Sequence, residues 1–264
     1  MPEGDTVYRA ARRLDAALSG RPLLSSDFRV PQYATLDLSG AVVKSVVSRG
    51  KHLLIRAGDL SIHTHLMMEG HWDVYAPGER WRAPSVKARC VLKNADFQAV
   101  GFELGFLRVI RTADEPEAVG HLGPDPLGHS WDPAEAERRL GSDPQRPIGL
   151  ALLDQKLMSG LGNIYRCELL FLTRTHPLTP VGEVEDLPHM VELAHKLLHA
   201  NKDRARRVTT GSASRDPYWV YGRAGEPCQR CGTPVSKQKL GDPALGPAAG
   251  ERDIYFCPRC QTEE

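Results

Sequence analysis

Three groups of residues in this chain have the types and spacing to do chemistry. The first is the start, Met1-Pro2-Glu3-Gly4-Asp5-Thr6. Removal of the initiator methionine leaves Pro2 as a free secondary amine, a nucleophile for an electrophilic carbon, with the Glu3 carboxylate beside it to move protons. The second is a pair of CxxC steps, Cys228-Gln229-Arg230-Cys231 and Cys257-Pro258-Arg259-Cys260, with 25 residues between them. Each step presents two thiolates to one ion, and together they complete a tetrahedral zinc site. Four thiolates leave no open coordination position, so this metal is read as structural rather than catalytic. The third is Asp154-Gln155-Lys156-Leu157-Met158-Ser159-Gly160-Leu161-Gly162-Asn163-Ile164-Tyr165. A helix stops at glycine, the chain turns sharply, and Asn163 stands where the N-cap of a second helix belongs. The free N–H groups at such a helix start bind anions, and Lys156 adds a positive charge. The plainer reading of the same string is a helical hairpin with no ligand.

These residues need elements to hold them. A helix begins almost at the terminus, with Asp5 or Thr6 as its cap and Val7, Ala10, Ala11, Leu14, Ala17 and Leu18 as its apolar stripe before Gly20. Short strands follow at 41–47 and 52–55, about an Arg49-Gly50 turn, and then at 60–64, 89–92 and 107–110, a pattern that predicts a sandwich or barrel. Proline and glycine punctuate 114–133, which is read as a linker. Beyond it the periodicity is helical over 133–140, 148–159, 164–173 and 187–200. The domain boundaries that result are 1–115 for the β-rich domain, 116–132 for the linker, 133–220 for the helical domain and 221–264 for the zinc finger. Within the finger, residues 234–239 are expected to pair with 253–256 as a β-hairpin carrying Arg252 at or near its tip, where a guanidinium suits phosphate. The low-complexity stretch 241–250 is expected to be a flexible loop.

Composition sets outer limits. The chain has 264 residues, 41% hydrophobic, with a formal net charge of +1, so bulk charge does not announce a nucleic-acid partner. The basic run Lys202 to Arg207 is read as a solvated surface. No apolar run is long enough to span a membrane and no secretory signal opens the chain, so the expected compartment is the cytoplasm. Cys90 and Cys167, outside the CxxC steps, are read as small buried apolar residues.

The pieces join into a resemblance. The Pro2-Glu3 start, Arg49-Gly50-Lys51-His52-Leu53-Leu54, the Asp154 to Tyr165 element, and Tyr221-Gly222-Arg223-Ala224-Gly225-Glu226-Pro227-Cys228 through Cys257-Pro258-Arg259-Cys260-Gln261 occur in the order found in the formamidopyrimidine-DNA glycosylase / endonuclease VIII family and cover essentially the whole chain. The resemblance implies an α+β fold: an N-terminal catalytic β-sandwich flanked by helices, then a helix–two-turns–helix domain ending in a four-cysteine zinc finger. The implied protein is a monomer associated with the nucleoid. It carries one structural zinc ion and acts on double-stranded DNA bearing a damaged base or an abasic site. Pro2 would attack C1′ of the damaged nucleotide, Glu3 would assist ring opening and proton transfers, and Lys51, the third catalytic residue, would contact DNA phosphate and steady the leaving base or sugar. Asn163 and Arg252 would grip the phosphates around a flipped nucleotide, with Lys156 as a phosphate or supporting contact. Met68, with Met67, is the candidate wedge for the gap that flipping leaves; packing of both methionines in a β core is the alternative.

The match departs from the family pattern in two places. Where an arginine-phenylalanine-glycine run usually supplies the second wedge, this chain has Gly101-Phe102-Glu103-Leu104-Gly105-Phe106, without the arginine and with Phe102 as a substitute candidate. The zinc-finger spacing is also longer than usual. The Pro-Glu-Gly start and Arg9-Ala10-Ala11-Arg12-Arg13-Leu14 are closer to the endonuclease VIII branch, which points to oxidised pyrimidines, with oxidised purines as the alternative. Two other readings stay open: a damaged-DNA-binding scaffold with little lyase activity, and an RNA-binding zinc protein.

Overall fold

A computed structural model describes residues 2–211, 216–241 and 251–262. The chain forms two compact units, Met1–His121 and Leu122–Glu264.

In the first unit, helix α1 spans Gly4–Leu18 and buries Val7, Ala11, Leu14, Ala17 and Leu18 along one face. Its N-cap is Glu3, whose carbonyl accepts from the N–H groups of Thr6 and Val7 at 2.9 and 3.1 Å. Asp5 and Thr6, expected as caps, lie inside the first turn, and the Asp5 carboxylate takes the N–H of Thr6 at 2.7 Å. The strands are β1 (Ser25–Phe28), β2 (Val43–Arg49), β3 (His52–Ala57), β4 (Leu60–His65), β5 (His71–Tyr75), β6 (Ala88–Lys93), β7 (Gln98–Phe102) and β8 (Phe106–Arg111). They form two antiparallel sheets of order β1-β6-β7-β5 and β2-β3-β4-β8. Val46, Leu53, Ile55 and Ile62 of one sheet share a core with Phe28, Cys90, Leu92 and Ala99 of the other and with the apolar face of α1, which makes the unit a β-sandwich with a helix against it. Asp15 fixes that helix to the sheet by accepting the Val46 N–H at 2.8 Å. Strands β1, β5 and β7 go beyond those read from the sequence; β7 is buried at every position and therefore lacks the alternation that marks a half-exposed strand.

Residues Glu115–Val119, at the start of the stretch read as a linker, form helix α2. Glu115 ties it to the sandwich: its carboxylate accepts from Arg56 at 2.6 and 2.9 Å and from the Ser61 hydroxyl at 2.5 Å.

In the second unit, Asp132 and Asp186 cap α3 (Pro133–Leu140) and α6 (Leu187–Asn201), each accepting the N–H three residues on. Helix α4 spans only Ile148–Ala151 and α5 spans Asn163–Leu172. The single helix expected over 148–159 is therefore corrected to one short turn of helix followed by two tight turns. Asp154 and Gln155 are the cause. The Asp154 carboxylate takes the Lys156 N–H at 3.0 Å, and the Gln155 carboxamide donates to the Leu153 and Leu161 carbonyls while accepting the Gly160 N–H. Side chains that bond their own backbone in this way compete with helix propagation. Strands β9 (Ser236–Leu240) and β10 (Arg252–Phe256) pair as the expected hairpin, with Arg252 opposite Leu240. Val235, Ile254, Cys228 and Cys257 join Leu152, Tyr165, Leu169, Met190 and Leu198 in one core, so the hairpin packs into the helices rather than hanging from them. The loop expected over 241–250 falls outside the described residues except at Gly241. Among the described residues no helix is long and apolar enough to cross a membrane.

Candidate active site

The chemistry read from the terminus has a fixed setting in the first unit. Pro2 is half-buried and Glu3 fully buried immediately before α1, which lies against β2 and β3. Those two strands are joined by the two-residue turn Gly50-Lys51, closed by the pair Arg49 and His52. Gly50 has a φ of +57°, which a glycine adopts without the cost another residue would bear at the first position of such a hairpin turn. The turn presents Lys51, half-buried, at the end of the sheet.

Next to Lys51 is a group of imidazoles that the sequence reading did not single out. His52 Nδ1 lies 2.8 Å from His63 Nε2, and His65 packs edge-on against His52 with ring centroids 5.1 Å apart. Phe106 closes the far side against His63. Burial, reinforced by neighbouring histidines, pushes His52 down to about 3; burial pushes His63 down to about 4. Both rings are neutral at pH 7. The signal available in the sequence was His63-Thr64-His65 on the strand after His52: His65 pairs directly opposite His52, and His63, two residues along on the same face, lies opposite Leu54.

Met68 stands on the loop between β4 and β5. Met67 and Met68 are 47% and 60% exposed, so the alternative of core methionines is overturned. Met67 has a φ of +54°. Glycines make room for this turn: a Cβ on Gly70 would stand 2.5 Å from the Leu66 carbonyl oxygen, and one on Gly105 would stand 2.5 Å from Met67 Cγ. Phe102 is fully buried in β7 between His71 and Trp81, so its candidacy is withdrawn, and Glu103 is paired with Lys87 at 3.0 Å.

In the second unit, Asn163 is the first residue of α5, and Gly162 takes the N-cap position expected for it. The Asn163 side chain instead crosses to the hairpin: Nδ2 donates to the Asp253 carbonyl at 2.7 Å, and Oδ1 accepts from Arg166, whose guanidinium is fully buried and also donates to the Gly149 carbonyl at 3.2 Å. Two residues ninety positions apart are thereby joined, and Arg252, exposed and adjacent to Asp253, stands beside the start of α5. Lys156 is exposed on the turn at 155–157. A further residue missed by sequence reasoning is Glu168. Buried on α5, it accepts the N–H groups of Trp219, Val220 and Tyr221 at 2.7, 3.0 and 2.9 Å, and the Thr209 hydroxyl also donates to it. Burial raises its pKa while these four bonds act against the rise. It fastens the chain segment entering the cysteine module to α5.

The sulfur atoms of Cys228, Cys231, Cys257 and Cys260 all lie within 4.8 Å of one another. A tetrahedral ion with bonds of ~2.3 Å needs sulfurs about 3.8 Å apart, and the pairs Cys231–Cys257 and Cys228–Cys260 bracket that value at 3.4 and 4.0 Å. Hydrogen bonds from Thr233 bring Cys231 down to about 6, whereas burial raises Cys260 to about 12. So crowded a set of thiols ionises together only around a cation, and the donor set fits one.

Comparison with known proteins decides the family. Residues 1–104 match the formamidopyrimidine-DNA glycosylase N-terminal domain and residues 122–202 the H2TH domain of the same proteins. A protein of Streptomyces coelicolor named "Probable endonuclease 8 2" is 52% identical over 99% of this chain and 94% of its own length. The chain belongs to the formamidopyrimidine-DNA glycosylase family. Within it, the Mycolicibacterium smegmatis protein named "DNA-(apurinic or apyrimidinic site) lyase Nei2" is 49% identical over 99% of both chains. A solved structure of MutM in complex with DNA containing carbocyclic 8-oxo-G superposes with a TM-score of 0.80 at 25% identity, covering 99% of this chain and all of that one. Family membership accounts for the joint presence of a Pro-Glu terminus, a sandwich, a helix–two-turns–helix element and a four-cysteine hairpin in one chain.

Proposed function

We propose that this protein is a bifunctional DNA glycosylase and abasic-site lyase of base excision repair, acting on oxidised pyrimidines and abasic sites in double-stranded DNA. The observation that carries the proposal is the Pro2-Glu3 start, a half-buried proline beside a fully buried glutamate immediately before a helix fixed to the sandwich, in a chain about half identical to proteins named endonuclease 8 and abasic-site lyase.

With Met1 removed, the Pro2 nitrogen forms a bond to C1′ as the glycosidic bond breaks and the base departs. The Glu3 carboxylate takes the proton lost from the Pro2 nitrogen and passes it to the sugar ring oxygen as the ring opens; the product is an iminium, and the departed base takes its proton from water. The iminium acidifies the C2′ proton; its loss expels the 3′ phosphate, and a second elimination expels the 5′ phosphate. Lys51 binds a phosphate near the reacting sugar. Asn163, Arg252 and Lys156 take phosphates flanking the lesion, and Met68 enters the space left by the flipped nucleotide, whose unstacking costs a few kcal/mol. The four cysteines hold a zinc ion that braces the Arg252 hairpin and takes no part in bond breaking.

The endonuclease 8 relatives and the Pro-Glu-Gly start favour pyrimidines over purines. A glycosylase assay comparing thymine glycol with 8-oxoguanine in the same duplex tests this: faster release of the pyrimidine is expected, and release of the purine alone contradicts the assignment.

A further inference from the structure

The loop bearing Met68 is held by a bond that none of the assigned roles explains. His65, the last residue of β4, turns its ring back along the loop, and the Met67 N–H donates to its Nδ1 at 2.9 Å. Nδ1 can accept only when it carries no proton, so the ring is the neutral tautomer with hydrogen on Nε2. The opposite face of the constraint is the packing of Met67 over Gly105, where no Cβ fits, and the Gly70 N–H bond to the Leu66 carbonyl at 2.9 Å. Between these supports Met67 is kept at a φ of +54°, a conformation that side-chain-bearing residues avoid unless their surroundings impose it. Its effect is to leave Met68 at the crest of the loop, 60% exposed with its neighbour on the same turn. His65 is itself braced by the His52 ring, and burial together with the Lys51 charge lowers its pKa, which preserves the accepting tautomer.

We infer that His65 is the positioning residue of the gap-filling loop: its imidazole, by accepting the Met67 N–H, fixes the left-handed turn that aims Met68 into duplex DNA. The inference rests on the proposed action on flipped nucleotides. It assigns His65 no contact with the reacting atoms. The left-handed turn is an unfavourable local state, and one well-made acceptor together with the Gly105 seat keeps it populated before DNA arrives. A preformed wedge lowers the cost of opening the stack; a wedge that must first order itself does not.

The test separates wedge positioning from chemistry by substrate form, because a single strand has no opposite stack to fill. Borohydride trapping and equilibrium binding are measured for the full-length protein on an oligonucleotide with one abasic site or its uncleavable tetrahydrofuran analogue, single-stranded and in duplex. The variants are His65→Ala and His65→Asn, the latter because Asn Oδ1 can accept where Nδ1 did. His65→Ala is expected to lower the duplex-to-single-strand ratio about fivefold, the effect of one lost backbone bond, and His65→Asn to restore most of it. An unchanged ratio, an equal fall on both substrates, or failure of His65→Asn to restore the ratio overturns the inference. If the wild type binds both forms of the analogue but traps neither abasic substrate, the lyase proposal fails while the binding ratio still decides the role of His65.

Discussion

Asn163→Ala makes the most demanding prediction, because in this structure Asn163 has a structural duty besides any contact with DNA. The substitution removes the Asn163 Nδ2 bond to the Asp253 carbonyl and the acceptor for the buried Arg166 guanidinium. A neutral buried hydrogen bond contributes about 1 kcal/mol and one to a charged group about 1.5–3 kcal/mol. Asp253 retains a bond from Arg166 at 3.3 Å and Arg166 one to Gly149, which moderate the loss. The expected cost is about 3 kcal/mol, roughly a hundredfold in the opening equilibrium of the contact between α5 and β10. Hydrogen-exchange mass spectrometry on the intact protein reads this directly. Peptides covering 163–172 and 252–257 should lose protection in Asn163→Ala, while those covering β2, β3 and β4 in the other unit serve as internal controls. Arg252→Ala, which alters an exposed side chain, should leave protection unchanged. Equal protection of the 163–172 and 252–257 peptides in wild type and Asn163→Ala would refute the network, and any loss of DNA affinity would then have to come from the phosphate contact alone.

Other outcomes follow from the same geometry. Arg252→Ala should weaken DNA binding across sequences and reduce the slope of log K against log salt by about one, as measured by titration at several salt concentrations. Replacing Cys231 by serine, or stripping metal with a strong chelator, should release about one zinc ion per chain to a colorimetric indicator and unfold the β9–β10 hairpin, with strand cleavage falling alongside; full circular dichroism and activity after metal loss would show that the ion braces nothing. Met68→Ala should leave thermal stability within about 0.5 kcal/mol, because the side chain is exposed, yet slow excision from duplex DNA. His52 and His63 should stay neutral on acidification until about pH 3 and 4 in a histidine NMR titration. Since the unfolded chain takes up these protons near pH 6.5 and the folded one does not, stability should fall as pH drops from about 6.5 toward 4; the slope should lessen in His63→Phe, and no change in slope would count against neutral buried rings.

Local rules made the terminus, the cysteine steps and most helices legible. Val7, Ala11, Leu14 and Leu18 follow helical spacing, CxxC chemistry needs only four residues of context, and Arg49-Gly50-Lys51-His52 carries its own hairpin signal. The errors fall where side chains override local pattern. Asp154 and Gln155 end α4 early by bonding their own backbone, and Gly162 displaces Asn163 from the cap so that its amide can reach a strand ninety positions away. No short window of sequence reports such a bond. The partners of Glu168, the imidazole column of His52, His63 and His65, and the burial of Phe102 likewise depend on pairing between distant segments. Met67 and Met68 lay between two readings because methionine serves cores and wedges equally well; only the left-handed turn over Gly105 brings them to the surface.

The proposed chemistry stands or falls with the Pro2 amine as nucleophile. Its most direct measurement is borohydride trapping of the full-length protein on a duplex with a single abasic site, followed by peptide mapping of the covalent adduct. One DNA-linked peptide is expected, beginning at Pro2 with Met1 absent, and no adduct when Met1 is retained. An adduct on Lys51 or another lysine, or undiminished trapping with Met1 in place, would contradict it.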